Sequence, residues 1–189
     1  NYMRRNIDAW WPLVEKKEVE AIIVTASGCG VTVKEYGHLL RYDSVYAGKA
    51  ATISTLAKDI SEILHAELGN LQHLFSQKHT ALKTKLSFHS PCTLQHGMQI
   101  RGVVEEILQA AGFELSYVAN AHLCCGSAGT YSILQPELSQ QLLKNKLAAL
   151  ESSNPDHIAT ANIGCLMHLK SGAALPVKHW IELLDERLS

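Results

Sequence analysis

The residues best suited to chemistry are the cysteines, five in 189 residues, and they are not placed like ordinary buried thiols. Cys124 and Cys125 are adjacent and are followed by Gly126; Cys92 follows Pro91, Cys165 follows Gly164, and Cys29 lies between Gly28 and Gly30. A structural cysteine behaves as a small hydrophobe inside an apolar strand or helix. Sulfurs set beside glycine, proline and one another suit a metal or redox centre instead. Thiolates are soft donors, and the centres that take about four of them are iron–sulfur clusters and zinc. Glycine beside a ligand lets backbone N–H groups close on the sulfurs, which tunes a reduction potential. Gly126 and Gly164 are therefore candidate cofactor-binding positions. His168 stands one helical turn after Cys165, near enough to ligate or to hydrogen-bond the same centre. His89 precedes the Cys92 turn, where it could orient a cluster sulfur. The metal-ligand candidates are Cys92, Cys124, Cys125, Cys165, His168 and Cys29.

Other chemistries compete for the same residues. Cys124 and Cys125 could form a vicinal disulfide or be plain structural thiols, and a thiol enzyme could use His122 or His89 as base. Gly126-Ser127-Ala128-Gly129 resembles a phosphate cradle but lacks the lysine of a P-loop. No catalytic residue is assigned. An odd number of cysteines without a secreted-domain spacing points to reduced thiols and a cytoplasmic setting. A net charge of −1 with 19% charged residues offers no basic face for nucleic acid. No apolar run reaches the length of a membrane span.

The elements that must position these residues alternate. Glu18–Ala26 reads as a buried strand, Val31–Leu40 and Ala50–Leu68 as helices, and Gly69–Thr80 as a loop between halves. Leu82–His89 is strand-like, Gln99–Ala111 a helix closed by Gly112, and Phe113–Val118 a short strand. Leu123–Gly129 is a loop, Pro136–Leu150 a helix with proline in its first turn, and His157–Asn162 a strand. A helix from Gly164 to near Gly172, a strand at Val177 and a helix over His179–Leu188 complete the chain. Strands alternating with helices imply βαβ units and a parallel sheet, hence an α/β fold. In such a sheet the loops at the carboxyl ends of the strands share one edge. The Cys92, Cys124-Cys125 and Cys165 loops are expected to converge there.

Ile22–Cys29 and Ile158–Cys165 also resemble one another: a strand, a small turn, then Gly-Cys opening a helix. This predicts a duplicated unit with the first copy truncated, residues 1–70 being its C-terminal part and 71–189 a complete second copy. Trp10 and Trp11 are expected to be core of a preceding region and exposed here as a docking face.

The order Cys92, 31 residues, Cys124-Cys125, 39 residues, Cys165, with Gly126 after the pair and Gly164 before the last cysteine, resembles the cysteine-rich CCG domain. That domain, usually in two copies, is shared by heterodisulfide reductases and the iron–sulfur subunits of glycerol-3-phosphate, lactate and glycolate oxidation. The segments His122–Tyr131, Thr160–Cys165 and His179–Leu183, with Thr25–Gly30 and Lys34–Gly37, resemble the C-terminal part of the glycolate oxidase iron–sulfur family. The resemblance implies an iron–sulfur cluster of 4Fe-4S type, with zinc as the alternative. It implies electron transfer from flavin-containing partner subunits, which hold the FAD, to an acceptor, with peripheral membrane association through the complex at the inner face. It further implies a ferredoxin-like region ahead of this sequence, so the chain is expected to be a C-terminal piece. The sequence departs from the fullest CCG pattern where a last cysteine would stand: His168 occupies that place in the second copy and Thr32 in the first.

Overall fold

The computed structural model describes residues 1–77 and 84–189. The chain forms two compact units, Asn1–Ile60 and Ser61–Ser189.

In the first unit, α1 (Tyr2–Glu15) turns Ile7 inward, with Met3 and Trp10 partly buried beside it. β1 (Ile22–Val24), α2 (Ser27–Lys34), α3 (Tyr36–Leu39), α4 (Ala47–Leu56) and β2 (Ala57–Asp59) follow. The two strands pair in parallel, Ile22 opposite Ala57. Val33, Tyr36, Leu40, Ala50 and Ile53 complete the core. β1 is shorter than its sequence suggests, and Ile23 is exposed rather than buried. α2 starts at Ser27, ahead of the predicted Val31, because Gly30 N–H already bonds Ala26 O at 2.9 Å. Residues 57–59 lie inside a stretch predicted helical, but pairing with β1 overrides that local preference. Trp10 and Trp11 are not bare: Lys49 Nζ lies 5.2 Å from the Trp11 ring centroid, and Trp10 packs on the core.

The second unit opens with α5 (Ile60–Ala66) and α6 (Leu68–Gln77). α6 replaces most of the predicted Gly69–Thr80 loop. Leu68, Leu71 and Phe75 recur at helical spacing among polar residues, and Phe75 is buried. The rest of that loop and the start of the predicted Leu82–His89 strand lie outside the described residues. β3 (Lys85–His89) leads into a π-helical turn, Thr93–Gly97, then α7 (Val103–Ala110) and β4 (Glu114–Leu115). α7 starts later than the predicted Gln99, since Gln99 and Gly102 have φ of 59° and 77° and break the helix there. α8 (Tyr131–Leu134), α9 (Pro136–Glu151), β5 (His157–Thr160), α10 (Ile163–Lys170), β6 (Val177–His179) and α11 (Trp180–Leu188) complete the unit.

Its sheet runs β4-β3-β5-β6 with every pairing parallel, so the α/β class read from the alternation is the class observed. β3 and β5 lie side by side at the centre, with His89 in register with Thr160. Leu143, Leu147 and Leu150 of α9 pack with Ile158, Leu166, Leu169 and Val177. α11 is fastened at its start: His179 Nδ1 accepts from Ile181 N–H at 3.3 Å, and Glu182 Oε2 from His179 N–H at 2.9 Å. Trp180 is fully buried behind that cap.

Candidate metal centre

The carboxyl ends of β3 and β5 deliver the centre. β3 ends at His89, and the chain turns through Ser90-Pro91 to place Cys92 at the head of the π turn. β5 ends at Thr160, and Asn162 caps α10, with Cys165 in that helix's first turn. The loop before α8 brings Cys124 and Cys125 between them. The four sulfurs form a chain of S–H···S contacts, with Cys124 beside Cys92 and Cys125, and Cys125 beside Cys165. All five cysteines are free, so Cys124 and Cys125 are not joined as a vicinal disulfide.

Protons are shared unevenly along this chain. Hydrogen bonds from Cys125 and Cys92, helped by Gly126 N–H at 3.3 Å, hold the Cys124 thiol far below its ordinary pKa. Cys125, with Asn162 Nδ2 donating at 3.4 Å, does the same for Cys165. Cys92 is pushed up by its hydrogen bond with Cys124 and then by burial, and Cys125 by its hydrogen bonds with Cys124 and Cys165 and then by burial.

His89 completes the group. Its ligating nitrogen and the sulfurs of Cys125 and Cys165 all lie within 4.8 Å of one another. Its Nδ1 is 2.9 Å from Thr160 Oγ1, an arrangement set by the β3–β5 register. Its Nε2 is buried with no hydrogen-bond partner among the described residues. Burial, then the nearby Lys146 charge, lowers its pKa to about 3, so the ring is neutral near pH 7. A neutral imidazole with a buried, unpartnered nitrogen beside paired thiolates is a donor set that fits an iron–sulfur cluster or a zinc ion.

Gly126 is where the double-cysteine loop closes on the helices behind it. Its φ is +97°, and a Cβ there would collide with the Ser139 carbonyl oxygen while meeting His168 Nε2 at 3.1 Å and Leu142 Cβ at 3.2 Å. Ser139 Oγ donates to Gly126 O at 2.8 Å and lies 3.3 Å from His168 Nε2. His168 thus sits against the back of the loop, bonded to Ser139, while His89 stands among the sulfurs. Gly164 has less at stake: a Cβ would meet Ser127 Oγ at 3.3 Å. Cys29 belongs to the first unit, exposed in the first turn of α2. The structure therefore brings Cys92, Cys124, Cys125, Cys165 and His89 together, with Gly126 and Gly164 lining their backbone.

Sequence reading missed Lys146, Gln95 and Ser139. Lys146 is buried on α9, and its Nζ donates to Asn120 O at 2.9 Å and Ala121 O at 3.3 Å. Gln95 Nε2 donates to Ser90 O at 3.0 Å and Ala121 O at 3.3 Å, tying the Cys92 turn to the Cys124 loop. The signal was present in α9, where Ser139 and Lys146 fall on the same stripe as Leu143, Leu147 and Leu150. A polar residue on an apolar stripe marks a buried partner.

A parallel sheet that gathers four thiols at one edge defines a cysteine-rich domain, and residues 86–170 match the CCG family described as a cysteine-rich domain. Over 185 residues the chain is 50% identical to the glycolate oxidase iron–sulfur subunit of Escherichia coli (strain K12), covering 98% of this chain and 44% of that protein. It is 35% identical over 172 residues to the probable glycolate oxidase iron–sulfur subunit of Bacillus subtilis (strain 168), covering 89% and 36%. It is 25% identical over 193 residues to lactate utilization protein A of Anoxybacillus flavithermus, covering 98% and 79%. The chain thus spans less than half the length of the two glycolate oxidase relatives. Among the described residues, no helix is long and apolar enough to cross a membrane.

Proposed function

We propose that this chain is an electron-transfer part of a glycolate oxidase complex, carrying an iron–sulfur cluster of 4Fe-4S type on Cys92, Cys124, Cys125 and Cys165. The observation that supports it most is the convergence of those thiols with the unpartnered nitrogen of His89 at one sheet edge, in a chain half identical to a glycolate oxidase iron–sulfur subunit. Such a cluster would supply one-electron storage at a potential set by its surroundings. The chain's own part is to hold the sulfurs, to give Gly126 N–H to Cys124 and Asn162 Nδ2 to Cys165, and to keep His89 neutral beside them. Electrons arrive from partner subunits that hold the flavin and leave for an acceptor. The complex works in the cytoplasm, peripherally at the inner face of the membrane. The chain alone turns over no substrate. In this proposal His168 holds the loop through Ser139 rather than ligating. Residues 1–70 and 71–189 are read as two units descended from one ancestral unit.

A second reading is a zinc site in a structural or docking domain, which the same compact four-sulfur set favours. Iron and acid-labile sulfide analysis with EPR, on protein made and kept without oxygen, separates the two. Iron with sulfide, and a signal lost in Cys124→Ser and Cys165→Ser, supports the electron carrier. Zinc without sulfide, or no metal in a folded chain, refutes it. The oxidised substrate belongs to the partner subunits, and the likeness to lactate utilization proteins makes lactate the alternative to glycolate.

A further inference from the structure

Three donors of the centre stand apart from the rest. His89, Cys125 and Cys165 are all buried, and their ligating atoms lie within 4.8 Å of one another; among the described residues, no other three such groups are so close. Ligands around one tetrahedral zinc ion stand about 3.5–3.8 Å apart, so small side-chain rotations would close this set on a single ion. The nitrogen is prepared for a metal. His89 Nδ1 is 2.9 Å from Thr160 Oγ1, and the opposite nitrogen, Nε2, is buried without a partner among the described residues. A ligating histidine characteristically gives its other N–H to such a partner, which fixes the ring and turns its lone pair toward the ion. Cys124 and Cys92 differ as the fourth donor. Cys124 bonds Cys125 and lies close enough to act by charge on both His89 and Cys165. Cys92 bonds Cys124 and reaches Cys165 by charge alone. Three thiolates on a divalent ion leave one negative charge, and the buried Lys146 ammonium, which faces Cys124 and Cys125, offsets it.

We propose that His89 Nε2, Cys124, Cys125 and Cys165 form a closed tetrahedral site for one zinc ion, with Cys92 outside it. This rests on the reading that the sheet edge is a metal centre, and it names the ligands that a single ion takes there. A cluster on the four cysteines shares three of these donors, so the two loads exclude one another. Binding of added zinc without sulfide, and cluster formation with iron and sulfide, are separate results.

The test uses the full 189-residue chain, freed of metal under anaerobic reducing conditions, its fold checked by circular dichroism, with zinc or cobalt(II) as the only addition. Cobalt(II) should give the visible bands of a four-coordinate ion with thiolate charge transfer, saturating at one ion per chain. X-ray absorption at the zinc edge should show one imidazole nitrogen at about 2.0–2.1 Å and three sulfurs at about 2.3 Å. Thr160→Val, which removes only the partner of Nδ1, should weaken zinc binding about 10- to 100-fold. His89→Gln should weaken it further, and Cys92→Ser should leave both affinity and spectrum unchanged. Should His89→Gln unfold, the absorption measurement on the unaltered chain decides whether an imidazole is bound. No zinc on a folded chain, a shell of four sulfurs without imidazole, or a loss in Cys92→Ser equal to that in His89→Gln overturns the proposal.

Discussion

Replacing Gly126 by alanine tests why the double-cysteine motif ends in glycine. Two costs are separable. The first is backbone: φ of +97° lies beyond the left-handed well that an L-residue tolerates, which costs about 1–3 kcal/mol. The second is steric, because the new methyl meets the carbonyl of Ser139, a backbone atom of α9 that moves only with its helix. Overpacking of this kind adds about 1–3 kcal/mol. Together the loss is about 4 kcal/mol. With a urea slope of about 2 kcal/mol per M, the midpoint of the second unit falls by about 2 M. Gly129→Ala is the control, since it lies in the same loop at φ +60° with nothing within 4 Å of the added methyl. It should cost about 1 kcal/mol. Buried Trp180 reports the second unit alone once Trp10 and Trp11 are phenylalanine. If Gly126→Ala is no more costly than Gly129→Ala, the close approach of loop and helix is not what requires the glycine.

His168→Ala should leave the metal-to-protein ratio unchanged and cost about 1 kcal/mol through the lost Ser139 contact, with His168→Gln recovering part of it; a fall in bound metal would make His168 a ligand. The metal-free chain should lose stability as pH falls from about 6.5 toward 3, because the unfolded state protonates His89 before the native state does. That contribution is complete above pH 6.5 and has shrunk by about 2 kcal/mol at pH 5, measured by denaturation across the range. His89→Gln should flatten the slope, and an equally steep slope in that variant would assign it elsewhere. Asn162→Ala, which removes a donor to Cys165, should shift the cluster potential downward and leave bound iron unchanged; an unmoved potential in voltammetry would show that the amide does not act on the sulfur.

What the sequence disclosed and what it hid divide along physical lines. β3 and β5 were legible because short apolar runs end at turn residues directly before the cysteines, and a parallel sheet then sends their loops to one edge. α9 was legible from its proline start and apolar stripe. Ala57–Asp59 was not, since nothing in Ala-Lys-Asp favours a strand until Ile22–Val24 lies beside it. α6 was hidden by histidines and glutamines that sit harmlessly on its outer face. Within the centre, residue type marked the ligands, but the roles of His89 and His168 depend on register and close approach. Only the pairing of His89 with Thr160, and the space a missing Cβ leaves at Gly126, tell the two histidines apart. Lys146 was hidden because a lysine on a helix ordinarily faces water.

The Ala121 carbonyl accepts from both Gln95 and Lys146. One donor comes from the π turn behind Cys92 and the other from α9, so this one carbonyl ties both segments to the loop that leads into Cys124. Segments joined through a shared acceptor open together in hydrogen exchange, as one cooperative unit. The Cys92 turn, the Cys124-Cys125 loop and the middle of α9 would therefore exchange with a single free energy, although some fifty residues of sequence separate their ends. Removing Gln95 and Lys146 together should cost more than the sum of the single losses, because either donor alone still satisfies the carbonyl and only the double deletion leaves it bare.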